Sequence, residues 1–310
     1  MLNIKKFLNL IKCPICESSR YKTLANSKYK NIKSKKDLLN LYKSSADEKL
    51  VDQIVECKNC KLIYLNPRIS SKIINKGYED VVDNLHAKED YFRYKTFNYS
   101  LNKILKYLNI SNFKDKKFLD IGSASGIFLK VLKDKKFEES GVEPSKWLAN
   151  FGKKKYKVNL NQGNIFQIKN QKYDFISLWD VLEHVTDLNK TLKKIQKISH
   201  NNSYIIINVP AVDTLACKIL RKNWPFYLNV HLYYFTDQTL CKIFKKYNFK
   251  CLYIKPHWQF LSLGYALYRG KKYFSILNYV LKIIKFLKLE NMPFKYNLGQ
   301  KTYIFKKIEK

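Results

Sequence analysis

At 310 residues, 46% of them hydrophobic and 27% charged, the chain has apolar material for a full α/β domain plus a smaller module, which excludes disorder as its main state. Lys and Arg total 59 against 25 Asp and Glu, a net charge of +34, but runs such as Lys153-Lys154-Lys155 and Lys245-Lys246 fall on expected helix ends and read as a solvated surface bias rather than a dedicated polyanion site. No segment reaches the roughly 18 uncharged apolar residues needed to span a bilayer.

The opening MLNIKKFLNLIK is too short and too interrupted by Lys for a signal peptide, so the reducing cytoplasm is the expected compartment. Seven cysteines there argue for metal or free thiols, not disulfides. Residues 1–66 carry Cys13-Pro-Ile-Cys16 and Cys57-Lys-Asn-Cys60, two CxxC pairs 40 residues apart. Each pair sets two thiolates on one side of a tight turn, and two facing turns make the tetrahedral four-sulfur shell that zinc prefers. Four unrelated core cysteines or a redox pair are the plainer readings, and the identical spacing speaks against both. A closed shell leaves no open position, so the expected zinc is structural. Cys217, Cys241 and Cys251 read as core residues.

Residues 67–116 read as a helical bridge or cap, with an aromatic stretch (Tyr91, Phe92, Tyr94, Phe97, Tyr99) followed by Leu101, Ile104, Leu105 and Leu108 at helical spacing. From 117 to 310, short apolar runs bounded by Gly, Asp or Pro alternate with amphipathic Lys-rich helices, the signature of βα units around a largely parallel sheet. Strands are expected at 117–121, 138–144, 158–162, 173–179, 203–209, 250–255 and 301–307. Asp187 is expected to cap one helix, with Leu188, Leu192, Ile195 and Ile198 inside, and Asp237 the next, with Leu240, Ile243 and Phe244 inside.

The insertion 257–298 holds Ser275–Lys288, in which Asn278, Lys282 and Lys285 form a narrow polar stripe among apolar residues. Such a helix can lie in a membrane interface, cover an acceptor pocket or make a homodimer contact; the last two are the favoured readings.

In Phe118-Leu-Asp120-Ile-Gly122-Ser123-Ala124-Ser-Gly126, a hydrophobic strand ends in Asp, passes through a small-residue turn and enters a helix. Small residues let backbone approach a ligand where free helix-end N–H groups point outward. The spacing does not match the GxGxxG of a dinucleotide site. Glu143 follows 17 residues after Gly126, at the end of the second strand. Further on come Gln162-Gly163-Asn164-Ile165 and Tyr173-Asp-Phe-Ile-Ser-Leu-Trp179-Asp180-Val-Leu-Glu183-His184-Val.

These four segments, in this order, resemble the motifs of class I S-adenosylmethionine-dependent methyltransferases of the small-molecule branch. Ala124 departs from the family's middle glycine, which a backbone at negative φ would tolerate, and Asn164 stands where an Asp is usual. The resemblance implies a Rossmann-like seven-stranded sheet with a small zinc-ribbon-like N-terminal module. It implies that Asp120, Gly122, Ser123, Ala124 and Gly126 receive the methionine part of the cofactor, that Glu143 accepts the ribose hydroxyls, that Asn164 and Ile165 meet the adenine, and that Trp179 lines the site.

The methyl group of this cofactor is already activated, so the enzyme must align donor and acceptor and remove a proton from a hydroxyl or carbon acid. His231, in His231-Leu-Tyr233-Tyr234-Phe235-Thr, is the expected general base, with His184 and Tyr234 as alternates. Together with the four cysteines, the chain looks similar to sugar C-methyltransferases. Their C-terminal domain is longer, so O-methylation of a glycan precursor or lipid-linked acceptor fits equally well. A nucleotide-linked sugar would also benefit from the positive field.

Two other functions compete. An RNA methyltransferase would use the zinc module and charge, but Ser177-Leu-Trp-Asp180 stands where base N-methylating enzymes show Asn/Asp-Pro-Pro-aromatic, and no nucleophilic Cys is near. A non-catalytic binding protein would rest on Ala124 and Asn164 alone. The expected location is the cytoplasm, with a peripheral place on the inner face of the membrane as the alternative.

Overall fold

The computed structural model describes residues 3–29, 32–42, 50–79, 89–271 and 275–309. Seven strands form one sheet: β1 (Lys117–Ile121), β2 (Glu138–Glu143), β3 (Leu160–Gln162), β4 (Tyr173–Trp179), β5 (Ser199–Pro210), β6 (Phe249–Pro256) and β7 (Gln300–Lys307). The spatial order is β6-β7-β5-β4-β1-β2-β3. β1 pairs in parallel with β2 and β4, β4 with β5, and β2 with β3, whereas β7 runs antiparallel to both β5 and β6. Strands buried on both faces read as continuous apolar runs, which is why the central ones were legible. The strand order reverses at β1, opening a crevice at the carboxyl ends of β1 and β4.

Helices α1 (Asp90–Tyr107), α2 (Ile127–Asp134), α3 (Lys146–Tyr156), α4 (Leu188–Ile198) and α5 (Asp237–Lys246) accompany the sheet. Asp187 caps α4 by accepting from the Lys190 N–H, and Leu188, Leu192, Ile195 and Ile198 are buried as expected. At α5 the cap is Thr236, not Asp237: the Thr236 hydroxyl accepts from the Thr239 N–H. Asp237 instead takes the Lys301 ammonium at 2.8 Å and the Tyr303 hydroxyl at 2.7 Å, which ties the helix start to β7.

The N-terminal cysteines sit on a four-stranded antiparallel sheet whose order is Tyr233–Tyr234, Ile63–Leu65, Ile54–Cys57, Tyr21–Ala25. Its edge strand therefore comes from the far end of the sequence, with Tyr233 opposite Tyr64 and Tyr234 opposite Ile63. Further ties run from the Leu50 N–H to the Tyr227 carbonyl (3.2 Å) and from the Val51 N–H to Asn229 Oδ1 (2.7 Å). The module and the loop carrying His231 are thus one hydrogen-bonded unit.

The segment 67–116 is helical over Ser71–Glu79 and α1; its residues 80–88 lie outside the described residues. Within 257–298, a hairpin (Gln259–Ser262 with Pro293–Tyr296) carries helices α6 (Leu263–Gly270) and α7 (Leu277–Phe286), and residues 272–274 lie outside the described residues. The hairpin is fastened to α1, where the Thr96 hydroxyl accepts from the Phe260 N–H at 2.8 Å.

Candidate functional site: a crevice at the ends of β1, β2 and β4

The turn after β1 folds over the end of β2. The N–H groups of Gly122 and Ser123 both donate to the Val142 carbonyl, at 2.9 and 3.1 Å. Gly122 has φ +73°, and a Cβ there would meet Val181 Cγ2 at 2.5 Å, so glycine alone fits under the chain leaving β4. Gly152 of α3 packs on the same turn, where a Cβ would lie 2.4 Å from the Ser125 carbonyl oxygen. Ala124 has φ +46°, not the negative φ that would make alanine easily tolerated there. A left-handed alanine costs about 1–2 kcal/mol. Ala124→Gly should therefore raise stability by roughly 0.5–1 kcal/mol after the entropy cost of glycine, measurable as an upward shift in a denaturant midpoint.

Glu143 closes this turn. One carboxylate oxygen accepts from the Ala124 N–H and the other from the Ser145 N–H, both at 2.9 Å. Each oxygen keeps a second lone pair directed away from the backbone. Burial raises the Glu143 pKa, opposed by those two donors. Asp120 is also buried, pushed up to about 7 by burial and restrained by the hydroxyls of Ser177 and Ser123. Ser177 donates to Asp120 at 2.6 Å.

Asn164 Oδ1 accepts from the Phe166 N–H at 2.9 Å, capping the turn Ile165–Gln167 beside β3, with Ile165 buried beneath. Trp179, at the end of β4, is buried against Phe97, Phe128 and His257, and its indole N–H has no acceptor among the described residues. Asp120, Gly122, Ser123, Ala124, Gly126 and Glu143 are thus joined around one turn, with Trp179 in the neighbouring strand and Asn164 and Ile165 past β3. A donor without an acceptor and a carboxylate with spare lone pairs are groups that S-adenosylmethionine could satisfy.

The expected base residues gather at a second point. The rings of His184 and His231 lie 4.7 Å apart. His231 Nδ1 is 2.7 Å from the Phe226 carbonyl, and His184 Nδ1 is 2.9 Å from that of Val230 and 2.6 Å from the Tyr78 hydroxyl. A carbonyl can only accept, so each ring carries its proton on Nδ1 and leaves the Nε2 lone pair free. Burial lowers the His184 pKa to about 4 and, with His184 beside it, that of His231 well below the usual value. Tyr234 is buried with its hydroxyl donating to the Leu228 carbonyl at 3.2 Å, and its ring centroid is 6.4 Å from that of His231.

Several groups at the site were not singled out in the sequence. Glu183 is 1% exposed; neither carboxylate oxygen has a hydrogen-bond partner among the described residues, and Oε1 lies 4.0 Å from His184 Nε2. Burial and Asp180 hold it well above the ordinary carboxylate range. Its place inside the apolar run Val-Leu-Glu-His-Val was the available signal. Glu183, His184 and His231 present ligand atoms within 4.8 Å of one another, a set that could also hold a divalent cation. Tyr78 feels both Glu183 and Glu143, which together with burial raise its pKa well above the usual value. Asp90 and Arg93 of α1 flank the 120–126 turn, each 3.4 Å from the Ser125 hydroxyl.

In the N-terminal module, Cys13 Sγ lies 3.3 Å from Cys60 Sγ, Cys16 Sγ 3.5 Å from Cys57 Sγ, and all four sulfurs fall within 4.8 Å of one another. Zn–S bonds of about 2.3 Å in a tetrahedron demand S···S separations of about 3.8 Å, so the four thiols fit zinc.

A family model described as "Methyltransferase domain" matches residues 92–254, more than half of the chain. The chain belongs to this methyltransferase family. It is a class I S-adenosylmethionine-dependent methyltransferase, with the seven-stranded sheet expected and a four-cysteine module at its N-terminus.

No curated protein matches this methyltransferase. Among solved structures, a chain of the complex between the Haloferax volcanii Trm112 methyltransferase activator and the putative methyltransferase is similar at TM-score 0.52 and 10% identity, covering 75% of this chain and 98% of that one. An S-adenosylmethionine-dependent methyltransferase from Archaeoglobus fulgidus gives 0.49 and 19%, covering 73% and 100%. Magnesium protoporphyrin IX methyltransferase from Synechocystis gives 0.47 and 15%, covering 74% and 90%. Such identities speak to fold alone.

Proposed function

We propose that this methyltransferase moves a methyl group to a small polyhydroxylated acceptor, a sugar or glycan precursor, and that zinc in the Cys13/Cys16/Cys57/Cys60 shell is structural. The observation carrying this reading is the enclosed group of Glu183, His184 and His231, with two imidazole Nε2 lone pairs beside a carboxyl that has no hydrogen-bond partner among the described residues. A hydroxyl or carbon acid needs such a base. The helix Ser71–Glu79, the loop 226–231 and the turn after β4 wall this group in, which suits a small acceptor better than a nucleic-acid strand.

S-adenosylmethionine, when bound, supplies the activated methyl. The chain's residues do the rest. Glu143 is placed to accept the ribose hydroxyls and the 120–126 turn to face the methionine part. Asn164 and Ile165 border the adenine side. His231 takes the acceptor proton on Nε2, and Phe226, through its carbonyl, keeps the ring oriented. His184 and Tyr78 orient the acceptor from the opposite side.

Glu143→Gln keeps the shape but deprives the site of one charged acceptor, worth about 1.5–3 kcal/mol. Affinity for S-adenosylmethionine should fall roughly 10–100-fold by isothermal titration. An unchanged affinity would remove Glu143 from the cofactor site. The acceptor class itself is tested by transfer of a labelled methyl from the cofactor into fractionated extracts of the source cell. Label in small polar or glycan fractions is expected, and label in RNA would overturn the reading.

A further inference from the structure

Helix α7 carries apolar side chains that nothing in the described structure covers. Phe286 is 85% exposed, Tyr279 65%, Ile276 63% and Ile283 58%, with Leu287 and Met292 beside them. At 100° per residue, positions 276, 279, 283, 286 and 287 fall within an arc of about 100°, one continuous face. The opposite side of α7 packs on α6, with Leu277 against Gly270, so the exposed stripe is not needed for the lobe's own core. A stripe of this kind on a surface helix marks a contact with something else.

The charge around the stripe decides between occupants. Lys282, Lys285 and Lys288 are exposed; Lys282 borders the stripe, and Lys285 and Lys288 lie about 100° beyond its edges. Over residues 263–298 the sequence has seven Lys and Arg against one acid, Glu290, whose Oε2 is buried. A second copy of this chain would set the same lysines against each other on molecules of net charge +34. An anionic bilayer offers apolar chains to the stripe and negative headgroups to the long lysine side chains of the lobe. Among the described residues no helix is long and apolar enough to cross a membrane, so the contact is with the surface.

We propose that α7 and the adjoining end of the 257–298 lobe dock this enzyme on an anionic lipid surface, with Ile283 and Phe286 entering the acyl boundary and Lys282 and Lys285 at the headgroups. This departs from the lid or dimer roles that the sequence favoured. The lobe is fastened to α1, whose first residues flank the cofactor turn: Ser262 donates to Glu89 from its hydroxyl (3.0 Å) and its N–H (3.2 Å). Docking through the lobe would hold the crevice beside the bilayer.

The test is flotation of the full chain at low salt with vesicles of phosphatidylglycerol and phosphatidylcholine, and with phosphatidylcholine alone. Binding to the anionic vesicles only is expected. Ile283→Asp with Phe286→Asp, and separately Lys282→Glu with Lys285→Glu, should each lower the bound fraction about tenfold or more while cofactor affinity by calorimetry is unchanged. Failure of the wild type to float with anionic vesicles would overturn the proposal. So would flotation of the apolar double variant like wild type, which would assign binding to diffuse charge. A wild-type dimer in sedimentation equilibrium that Phe286→Asp converts to monomer would give the stripe to a second copy instead.

Discussion

Replacing His231 with alanine should leave S-adenosylmethionine affinity unchanged and slow methyl transfer by roughly 10²–10⁴-fold, the range for losing a general base. The geometry separates the two effects. His231 belongs to the loop before Tyr233–Tyr234, not to the turn 120–126 or to Glu143, so the cofactor end does not lose a contact. The acceptor end loses the Nε2 lone pair that the Phe226 carbonyl, 2.7 Å from Nδ1, keeps free. A second readout comes from pH. With the His231 pKa well below 6.5 and that of His184 at about 4, both rings stay neutral where an ordinary histidine would protonate. The turnover profile should lack the usual acid limb near 6.5 and hold its level well below that pH. Stability moves with the same sign. The unfolded chain takes up protons below about 6.5 while the folded rings do not, so stability is full above that value and is lost as pH falls toward 4. Normal turnover in His231→Ala would take the base role from this residue, and His184→Ala would be the next variant to assay.

Much of this fold was legible because its central strands are buried on both faces and end at a turn of small residues. β1 and β4 match the expected ranges residue for residue, 117–121 and 173–179. β5 is longer than the expected 203–209 because its polar start, His200 to Ser203, is held beside β4 across a register shift between Ser199 and Tyr204. Polar residues at a strand end give no hydrophobic period to read. The cap of α5 was misplaced by one residue because Thr236 and Asp237 both have capping oxygens, and only the pull of Lys301 and Tyr303 on Asp237 decides between them. The conformation of Ala124 was hidden for a different reason: alanine in a sequence gives no sign that Glu143, bonded to its N–H, holds it at φ +46°. Least legible of all was the pairing of Tyr233–Tyr234 with Ile63–Leu65. It is a contact between distant parts of the chain, and neither segment is long enough to declare itself a strand.

That pairing would let a zinc ion in the four-cysteine shell matter for the chemistry. The module should contain one zinc per chain by elemental analysis, and Cys13→Ser with Cys60→Ser should abolish it. Structural zinc contributes on the order of 10–16 kcal/mol in small modules, comparable to or above the whole stability of a typical domain, about 5–15 kcal/mol. The metal-free module should therefore unfold, while the seven-stranded sheet remains on the core of its α1/α2 face, which is separate from the one it shares with the module. Unfolding removes Ile63–Leu65 from Tyr233–Tyr234, and with it the Leu65 N–H donating to the Leu232 carbonyl at 3.0 Å, next to His231. Val51 and Leu50 release Asn229 and Tyr227 at the same time. The predicted pattern is split: transfer falls by at least the factor of about 10² expected for a misplaced base, whereas binding of S-adenosylmethionine at the Asp120–Gly126 turn persists. Calorimetry on the chelated protein and on the double serine variant would read both parts. A protein that carries no zinc, or one that loses it with its thermal transition and its turnover intact, would show that the four thiols hold neither the module nor the acceptor end in place.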